Sequence, residues 1–226
     1  MAYSIAKKHG NFNRSPHYGS YKYIVVHYTG SGTSKKGAAK ANCIYFGGGN
    51  RNASAHYFVD DGSIYEYLDP SVYYSWHCGD GKGKYGITNA NSIGIEVCIN
   101  GDNPYTDKEI ARVTWLVQYL MKKYNIKASN VVRHYDASRK MCPYYYAKRA
   151  DKWTALHKKL VGTSTSYKVR ITADSLNVRS GAGASYKIVT SVKKGEVFTI
   201  IDEKNGWGYL KSGKGWINLR YTELVK

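Results

Sequence analysis

Apolar and polar positions follow two different rhythms along this chain, and the change comes near residue 161. Upstream, Tyr23–Tyr28 (YIVVHY) and Ser92–Ile99 (SIGIEVCI) are near-continuous apolar runs bounded by polar residues, the pattern of strands buried on both faces. Ala55–Val59, then Asp60-Asp61-Gly62, then Ser63–Leu68 predict a β-hairpin around an Asp-Gly turn. Thr106–Tyr124 predicts an amphipathic helix: Thr106 and Glu109 form a T-x-x-E capping box, and Ile110, Val113, Leu116, Val117 and Leu120 recur on one face. A second helix is predicted over Tyr146–Leu160. Strands separated by helices imply an α/β domain, a mixed β-sheet flanked by helices.

Downstream the helical period disappears. Tyr167–Ala173, Leu176–Arg179, Lys187–Val192, Val197–Glu203, Trp207–Leu210 and Gly215–Asn218 are short strand-like runs. Turns separate them at Ser180-Gly-Ala-Gly, Lys194-Gly195, Asn205-Gly206 and Ser212-Gly213. Six short strands without a helix predict a small all-β barrel. The expected division is a first domain at 1–160, a Gly/Ser/Thr linker at 161–167 and a second domain at 168–226.

Composition narrows the class without deciding it. Aromatics at 14% and charged residues at 22% exclude a disordered or collagen-like chain. The longest apolar runs, such as Tyr23–Val26, are far shorter than the roughly 20 residues that a bilayer requires, so no transmembrane segment is expected. The start, MAYSIAKKHGNFNRS, has lysines but no apolar stretch behind them, which predicts synthesis in the cytoplasm without a Sec signal. The formal charge of +18 is spread over both domains, with +12 before residue 161 and +6 after it. Such a field attracts nucleic acid, anionic membrane or acidic wall polymer alike. No zinc-finger spacing, RNP motif or recognition helix accompanies it, so no specific nucleic-acid reading is expected.

Cysteine spacing argues against a disulfide framework. Cys43, Cys78, Cys98 and Cys142 lie 35, 20 and 44 residues apart with no C-x-x-C pair. The first three are expected to be small buried hydrophobes. Cys142 has other neighbours: Arg133-His134-Tyr135-Asp136 follows Val131-Val132, and Cys142-Pro143 comes eight residues after His134. His27 ends a buried strand. Imidazole nitrogen and thiolate sulfur are ligand types that zinc prefers, and three protein ligands with one open position is the catalytic arrangement. A core histidine and a buried thiol are the plainer reading of each residue alone.

The ordered motifs VVHYTG, SAHYFVDDGSIYEY, SWHCG, NSIGIEV and RHYDASRKMCP, over about residues 20–160, resemble the zinc-dependent N-acetylmuramoyl-L-alanine amidases of type 2. Those enzymes share their fold with peptidoglycan-recognition proteins and several phage lysins. The segment Ser175-Leu-Asn-Val-Arg-Ser-Gly-Ala-Gly, with Gly206-Trp207 and Gly215-Trp216-Ile217, resembles bacterial SH3-like wall-binding domains. The pair together looks like a phage endolysin or a bacterial autolysin.

The resemblance implies that His27, His134 and Cys142 hold Zn²⁺, that Glu96 is the catalytic base, and that Lys140 stabilises the oxyanion. It places His56, His77 and Trp76 along the substrate, with Asn91 and Thr29 as weaker candidates. His56 stands where some relatives carry a tyrosine, so either a substrate-facing or a supporting role is open to it. The implied reaction is hydrolysis of the amide between N-acetylmuramic acid and L-alanine in bacterial peptidoglycan. A Gram-positive wall would supply anionic polymer for the basic surface. Action outside the cytoplasm, after holin-type release for an endolysin, is the expectation. Two rivals stay open: a binding-only recognition module, and a cysteine peptidase with Cys142 as nucleophile. The four aromatics Tyr186, Trp207, Tyr209 and Trp216 can serve the barrel core or a ligand groove. No motif encodes the oligomeric state.

Overall fold

The computed structural model describes residues 3–162, 167–204 and 206–225. They divide into two compact units, Met1–Gly162 and Thr163–Lys226. In the first, the chain runs through β1 (Ala6–Lys7), β2 (Arg14–Pro16), β3 (Tyr23–Gly30), α1 (Ala38–Gly47), β4 (Tyr57–Val59), β5 (Ile64–Glu66) and β6 (Tyr73–Ser75). It continues through β7 (Ser92–Asn100), α2 (Asp107–Tyr124), β8 (Val131–Arg133), α3 (His134–Ser138), α4 (Tyr144–Lys148) and α5 (Ala150–Val161). The central sheet has the order β1-β5-β4-β7-β3-β8. β4, β7, β3 and β8 run parallel, β5 folds back antiparallel on β4, and β1 pairs parallel with β5. The mixed sheet expected on sequence is therefore present, and β2 and β6 form a separate antiparallel pair.

Strand periodicity sorts the two faces. Ile24 and Val26 of β3, with Ile93, Ile95, Val97 and Ile99 of β7, point to one side and join Val113, Leu116, Val117 and Leu120 of α2 in the main core. Alternate residues emerge on the opposite side because successive side chains of a strand reverse direction. That side carries Val25 and His27 on β3 and Gly94, Glu96 and Cys98 on β7. α1 covers part of it, packing Ala39 and Cys43 against Phe58 and Cys98. Each fully buried leucine or valine of α2 contributes about 1.5–3 kcal/mol, which fixes one face of the sheet and leaves the other for chemistry.

The expected cap of α2 is present. Thr106 Oγ1 accepts from Glu109 N at 3.1 Å, and Glu109 Oε2 accepts from Thr106 N at 2.8 Å. The single helix expected at Tyr146–Leu160 is instead α4 and α5, broken at Arg149 (φ −127°, ψ 88°). Ten residues separate Tyr146 from Leu156, which lie about 80° apart around one unbroken helix of 3.6 residues per turn. Both enter the same core, from the two sides of the break.

α1 is a helix that the residue pattern does not announce. It starts at Gly37 in the left-handed region (φ 104°) without a side-chain cap of its own. Asp60, wholly buried, supplies the anchor from the hairpin. Its Oδ2 accepts from Gly37 N and Ala39 N at 2.9 Å each. Its Oδ1 accepts from Gly62 N at 2.8 Å and Ser63 N at 2.7 Å. One carboxylate thus caps a helix and closes the Asp-Gly turn.

The second unit holds β9 (Tyr167–Ile171), β10 (Ser175–Arg179), β11 (Ile188–Lys193), β12 (Val197–Lys204), β13 (Trp207–Leu210), β14 (Trp216–Asn218) and β15 (Thr222–Leu224). They form an antiparallel sheet in the order β11-β10-β14-β13-β12-β9-β15. The six expected strands are all there, and β15 adds a seventh against β9. The expected linker is shorter at both ends. Val161 ends α5 and is 8% exposed, while Tyr167 already pairs with Ile200. Residues 163–166 lie outside the described residues. The core of this unit is Val169, Ile171, Leu176, Val178, Val192, Ile200, Leu210 and Ile217. Its buried members are aliphatic, with Tyr167, Phe198 and Leu219 packed against them, while Trp207 and Trp216 belong to neither group and sit half-buried. Tyr186, at 51% exposure, is also outside this core.

Candidate active site

Two parallel strands bring the first two chemical groups together. His27 and Glu96 are register partners across β3 and β7. Glu96 Oε1 lies 3.9 Å from His27 Nδ1, and its Oε2 is buried without a hydrogen-bond partner among the described residues. Burial among apolar neighbours pushes the Glu96 carboxyl up to about 8, with the Lys140 charge pulling the other way. About 18% of its side chain remains exposed, toward a hollow of about 460 Å³ lined also by Thr29, Ser31, Asn42, Tyr45 and Phe46. The strand carboxylate thus opens onto a concave surface.

β8 ends where α3 begins, and this junction delivers the second histidine. The Arg133 side chain and backbone N both reach Asp136, which fixes the turn into α3. His134 is 3% exposed. Its Nε2 lies 2.8 Å from Asp80 Oδ1, and its Nδ1 is buried with no partner among the described residues. Cys142 comes back beneath it, with Tyr135 N bonded to Cys142 O at 2.9 Å. The Cys142 sulfur lies 3.7 Å from His27 Nδ1. One ligand atom each from His27, His134 and Cys142 lie within 4.8 Å of one another. Three soft or borderline donors converging on one point is a donor set suited to zinc.

Burial sets the charge state of this cluster. It drives His27 well below the usual imidazole range, helped by the neighbouring charges of His134, His77 and Lys140. It lowers His134 as well, against the pull of Asp80. The Cys142 thiol is pushed up by burial and by Glu96. Neutral imidazoles keep a lone pair for a cation, whereas a neutral buried thiol is a poor free nucleophile.

Asp80 and Tyr105 are supporting residues that the sequence motifs did not single out. Partial burial pushes Asp80 upward, but hydrogen bonds from His134 and Ser138 and the Lys140 charge leave it below the usual carboxylate range. Its loop packs so closely on α3 that a Cβ at Gly81 would lie 2.3 Å from Ala137 O. The glycines flanking Asp80 in SWHCGDG were the available signal. Tyr105 OH donates to His27 O at 2.7 Å, tying the strand end to the start of α2. No local pattern marks that bond, which spans 78 residues.

The other expected site residues divide. Lys140 is exposed and lines a cleft of about 620 Å³ together with His134, Asp80, Lys82, Asn89 and Trp76. Trp76 is 37% exposed there, its Nε1 donating to Ser15 Oγ at 3.0 Å. Thr29 lines the hollow beside Glu96, its hydroxyl bonded to Ser31 O at 3.0 Å. Of the rest, His56 takes the supporting one of its two open roles, His77 borders the cleft, and the expectation for Asn91 needs correction. His56 is 0% exposed and cannot face a substrate; its Nδ1 accepts from Gly94 N at 3.0 Å and from Ser75 Oγ at 2.8 Å. Asn91 uses its side chain to close its own loop, accepting from Thr88 N at 2.8 Å and donating to Gly86 O at 2.9 Å. Asn89 and Asn52 are the asparagines that line the cleft among the described residues. His77 borders the cleft with its ring, but both its nitrogens are bonded inward and burial pushes it down to about 3.

Comparisons with known proteins agree with this arrangement. Residues 17–145 match the family described as N-acetylmuramoyl-L-alanine amidase, and residues 174–223 match the bacterial SH3 domain. The N-acetylmuramoyl-L-alanine amidase CwlH of Bacillus subtilis is 35% identical over 82% of this chain and 69% of its own length. XlyA, another N-acetylmuramoyl-L-alanine amidase of Bacillus subtilis, is 35% identical over 90% of this chain and 58% of its own length. The solved catalytic domain of XlyA superposes with a TM-score of 0.57 over 70% of this chain and 99% of that structure. A mutant endolysin from Bacillus subtilis gives 0.59 at 36% identity over 70% of this chain and 99% of that structure. No helix among the described residues is long and apolar enough to cross a membrane. With the histidine–cysteine cluster gathered from β3 and the α3 region and the family match over the same residues, the chain belongs to the N-acetylmuramoyl-L-alanine amidases, carrying a bacterial SH3 domain behind its catalytic unit.

Proposed function

We propose that the chain is a zinc-dependent amidase that hydrolyses the bond between N-acetylmuramic acid and the L-alanine of the peptidoglycan stem. The observation that carries the reading is His134 Nδ1, buried with no partner among the described residues, on a histidine that offers a ligand atom within 4.8 Å of those of His27 and Cys142. An orphaned buried nitrogen costs about 1–3 kcal/mol unless something binds it. His27, His134 and Cys142 would hold the ion. Zinc bound there would supply a more acidic water and a polarised scissile carbonyl.

The chain's own groups then divide the proton work. Hydrolysis adds hydroxide to the carbonyl carbon, breaks the C–N bond and places a proton on the departing amine of L-alanine. Glu96 takes the proton from water at a carboxylate oxygen and returns it to that amine. Burial raises the Glu96 carboxyl, and the Lys140 charge opposes that rise, which brings its proton affinity toward the range that acid–base work needs. Lys140, on the rim of the cleft, offers a cation to the developing oxyanion. The hollow beside Thr29 and the cleft beside Trp76 extend the site to either side of the cluster.

The SH3 unit supports retention on the wall. Trp207 lines a hollow of about 440 Å³ with Asn177, Arg179, Asn218 and Tyr221, a mixture of aromatic faces and donors suited to sugar or peptide. The +18 charge adds a salt-sensitive attraction to anionic polymer, which favours a Gram-positive wall. Product analysis on purified peptidoglycan, with and without a chelator, tests the whole reading. New N-terminal alanine without new reducing ends, lost on chelation and restored by zinc, is the expected result. New amino termini other than alanine that survive chelation would overturn it in favour of a thiol peptidase.

A further inference from the structure

We propose that His77 is a positioning residue: it selects the tautomer of His27 that turns a bare Nδ1 toward the metal. The inference rests on the zinc reading above and concerns a group that never touches the ion. His27 Nε2 lies 3.0 Å from His77 Nδ1, and the two rings meet edge to face at 5.1 Å between centroids. A nitrogen pair at this distance shares one proton, and the far side of His77 decides who owns it. There, His77 Nε2 lies 3.3 Å from the Ser92 carbonyl and 3.1 Å from Ser92 Oγ. A carbonyl oxygen only accepts. The Ser92 hydroxyl spends its own hydrogen on Thr88 O, so it too presents a lone pair to His77.

The two oxygens nearest His77 Nε2 are therefore acceptors, the Cys78 sulfur lies farther off at 4.0 Å, and that nitrogen carries the proton. His77 Nδ1 is then the acceptor, so His27 Nε2 must donate. The lone pair of His27 is left on Nδ1, which faces Cys142 and Glu96. Asp80 performs the parallel service for His134, accepting from its Nε2 at 2.8 Å and leaving Nδ1 bare. The two ligand histidines are thus oriented by different means, one by a carboxylate and one by a neutral relay ending on backbone carbonyls. Space for the relay comes from Gly94, where a Cβ would lie 2.7 Å from His77 Cγ. The glycine in NSIGIEV is accounted for by this packing.

Two measurements decide it. In the full chain loaded with zinc, two-bond ¹⁵N–¹H correlations should place the His77 proton on Nε2; a proton on His77 Nδ1 overturns the proposal. His77→Leu should weaken zinc binding about 10–100-fold in competition with a chromophoric chelator. His77→Asn, whose amide oxygen can replace the Nδ1 acceptor, should recover most of that loss. Equal weakening by both variants, or none by either, overturns the relay and reduces His77 to packing. The tautomer is read on the unmodified chain, so it stands even where a variant folds poorly. A wild-type chain that takes up no zinc would overturn the metal reading and this proposal together, whereas failure of the relay alone leaves wild-type zinc binding intact.

Discussion

His27 and Glu96 sit directly opposite one another on adjacent parallel strands, with His27 Nδ1 3.9 Å from Glu96 Oε1. Their separation is set by the sheet's own hydrogen-bond register, and Val26 pairing with Ile95 one residue earlier holds it from the core side. Side chains placed by strands hold their geometry more tightly than groups placed by loops. His134 and Cys142 come from the α3 region, and the chain there is pinned by Asp136, Asp80 and the Tyr135–Cys142 backbone bond.

Glu96→Gln separates metal binding from proton transfer. The variant keeps the shape of the side chain and all three donor residues, so zinc content by elemental analysis should match the wild type. Turnover should fall about 10²–10⁴-fold, the usual contribution of a positioned acid–base group. Activity within a few-fold of wild type would remove Glu96 from the proton pathway.

Asp80→Asn tests the orientation of His134. The amide removes the anionic acceptor at 2.8 Å while preserving volume. Zinc affinity should fall about 10–100-fold, with turnover of the fully loaded enzyme reduced much less. An unchanged affinity in chelator competition would mean that packing alone fixes the ring.

Glu109 makes stability depend on pH. Burial, partly offset by the Thr106 hydrogen bonds, raises its carboxyl from 4.5 to about 7. The folded state therefore binds the proton more tightly than the unfolded chain. Its contribution is full below the unfolded value and is lost as pH climbs between roughly 4.5 and 7. Glu109→Gln keeps an oxygen for Thr106 N and cannot ionise. Urea unfolding should show wild type losing up to about 3 kcal/mol relative to the variant across that window. Parallel stability curves for the two chains would contradict the assignment.

Trp207→Ala addresses the SH3 unit. Trp207 lies outside the aliphatic core, so the melting temperature should move by only a few degrees. Sedimentation with purified Gram-positive walls should show at least a several-fold loss of binding at moderate salt, where nonspecific attraction is screened. Unchanged wall binding would leave the 440 Å³ hollow without a part in retention.

Strand and helix existence was legible wherever a period repeats: β3, β7, α2 and all but one strand of the second unit follow from alternation, apolar runs and caps. α1 was illegible because its cap is Asp60, more than twenty residues downstream, and its burial depends on Phe58 and Cys98 of other strands. The split between α4 and α5 was hidden for a related reason, since the break serves the direction in which Tyr146 meets the core. Among site residues, His27, Glu96, His134 and Cys142 stood out through ordered motifs and ligand chemistry. Asn91 was misplaced and the choice between the two roles of His56 was left open, because a polar residue in a motif gives no sign of which neighbour will satisfy it.

The sequence by itself determined which residue types are available and on which alternating face of each strand they emerge, because side-chain direction along a strand has a fixed period of two. It thereby put Val26 and Ile95 on the core side and His27 and Glu96 on the other. Only the tertiary structure decided the pairing register that sets His27 opposite Glu96, the approach of the Cys142 sulfur to His27, and the burial of His77 behind His27. Those outcomes join residues 50 to 115 positions apart, where no local periodicity reaches and packing of the whole core selects the partners.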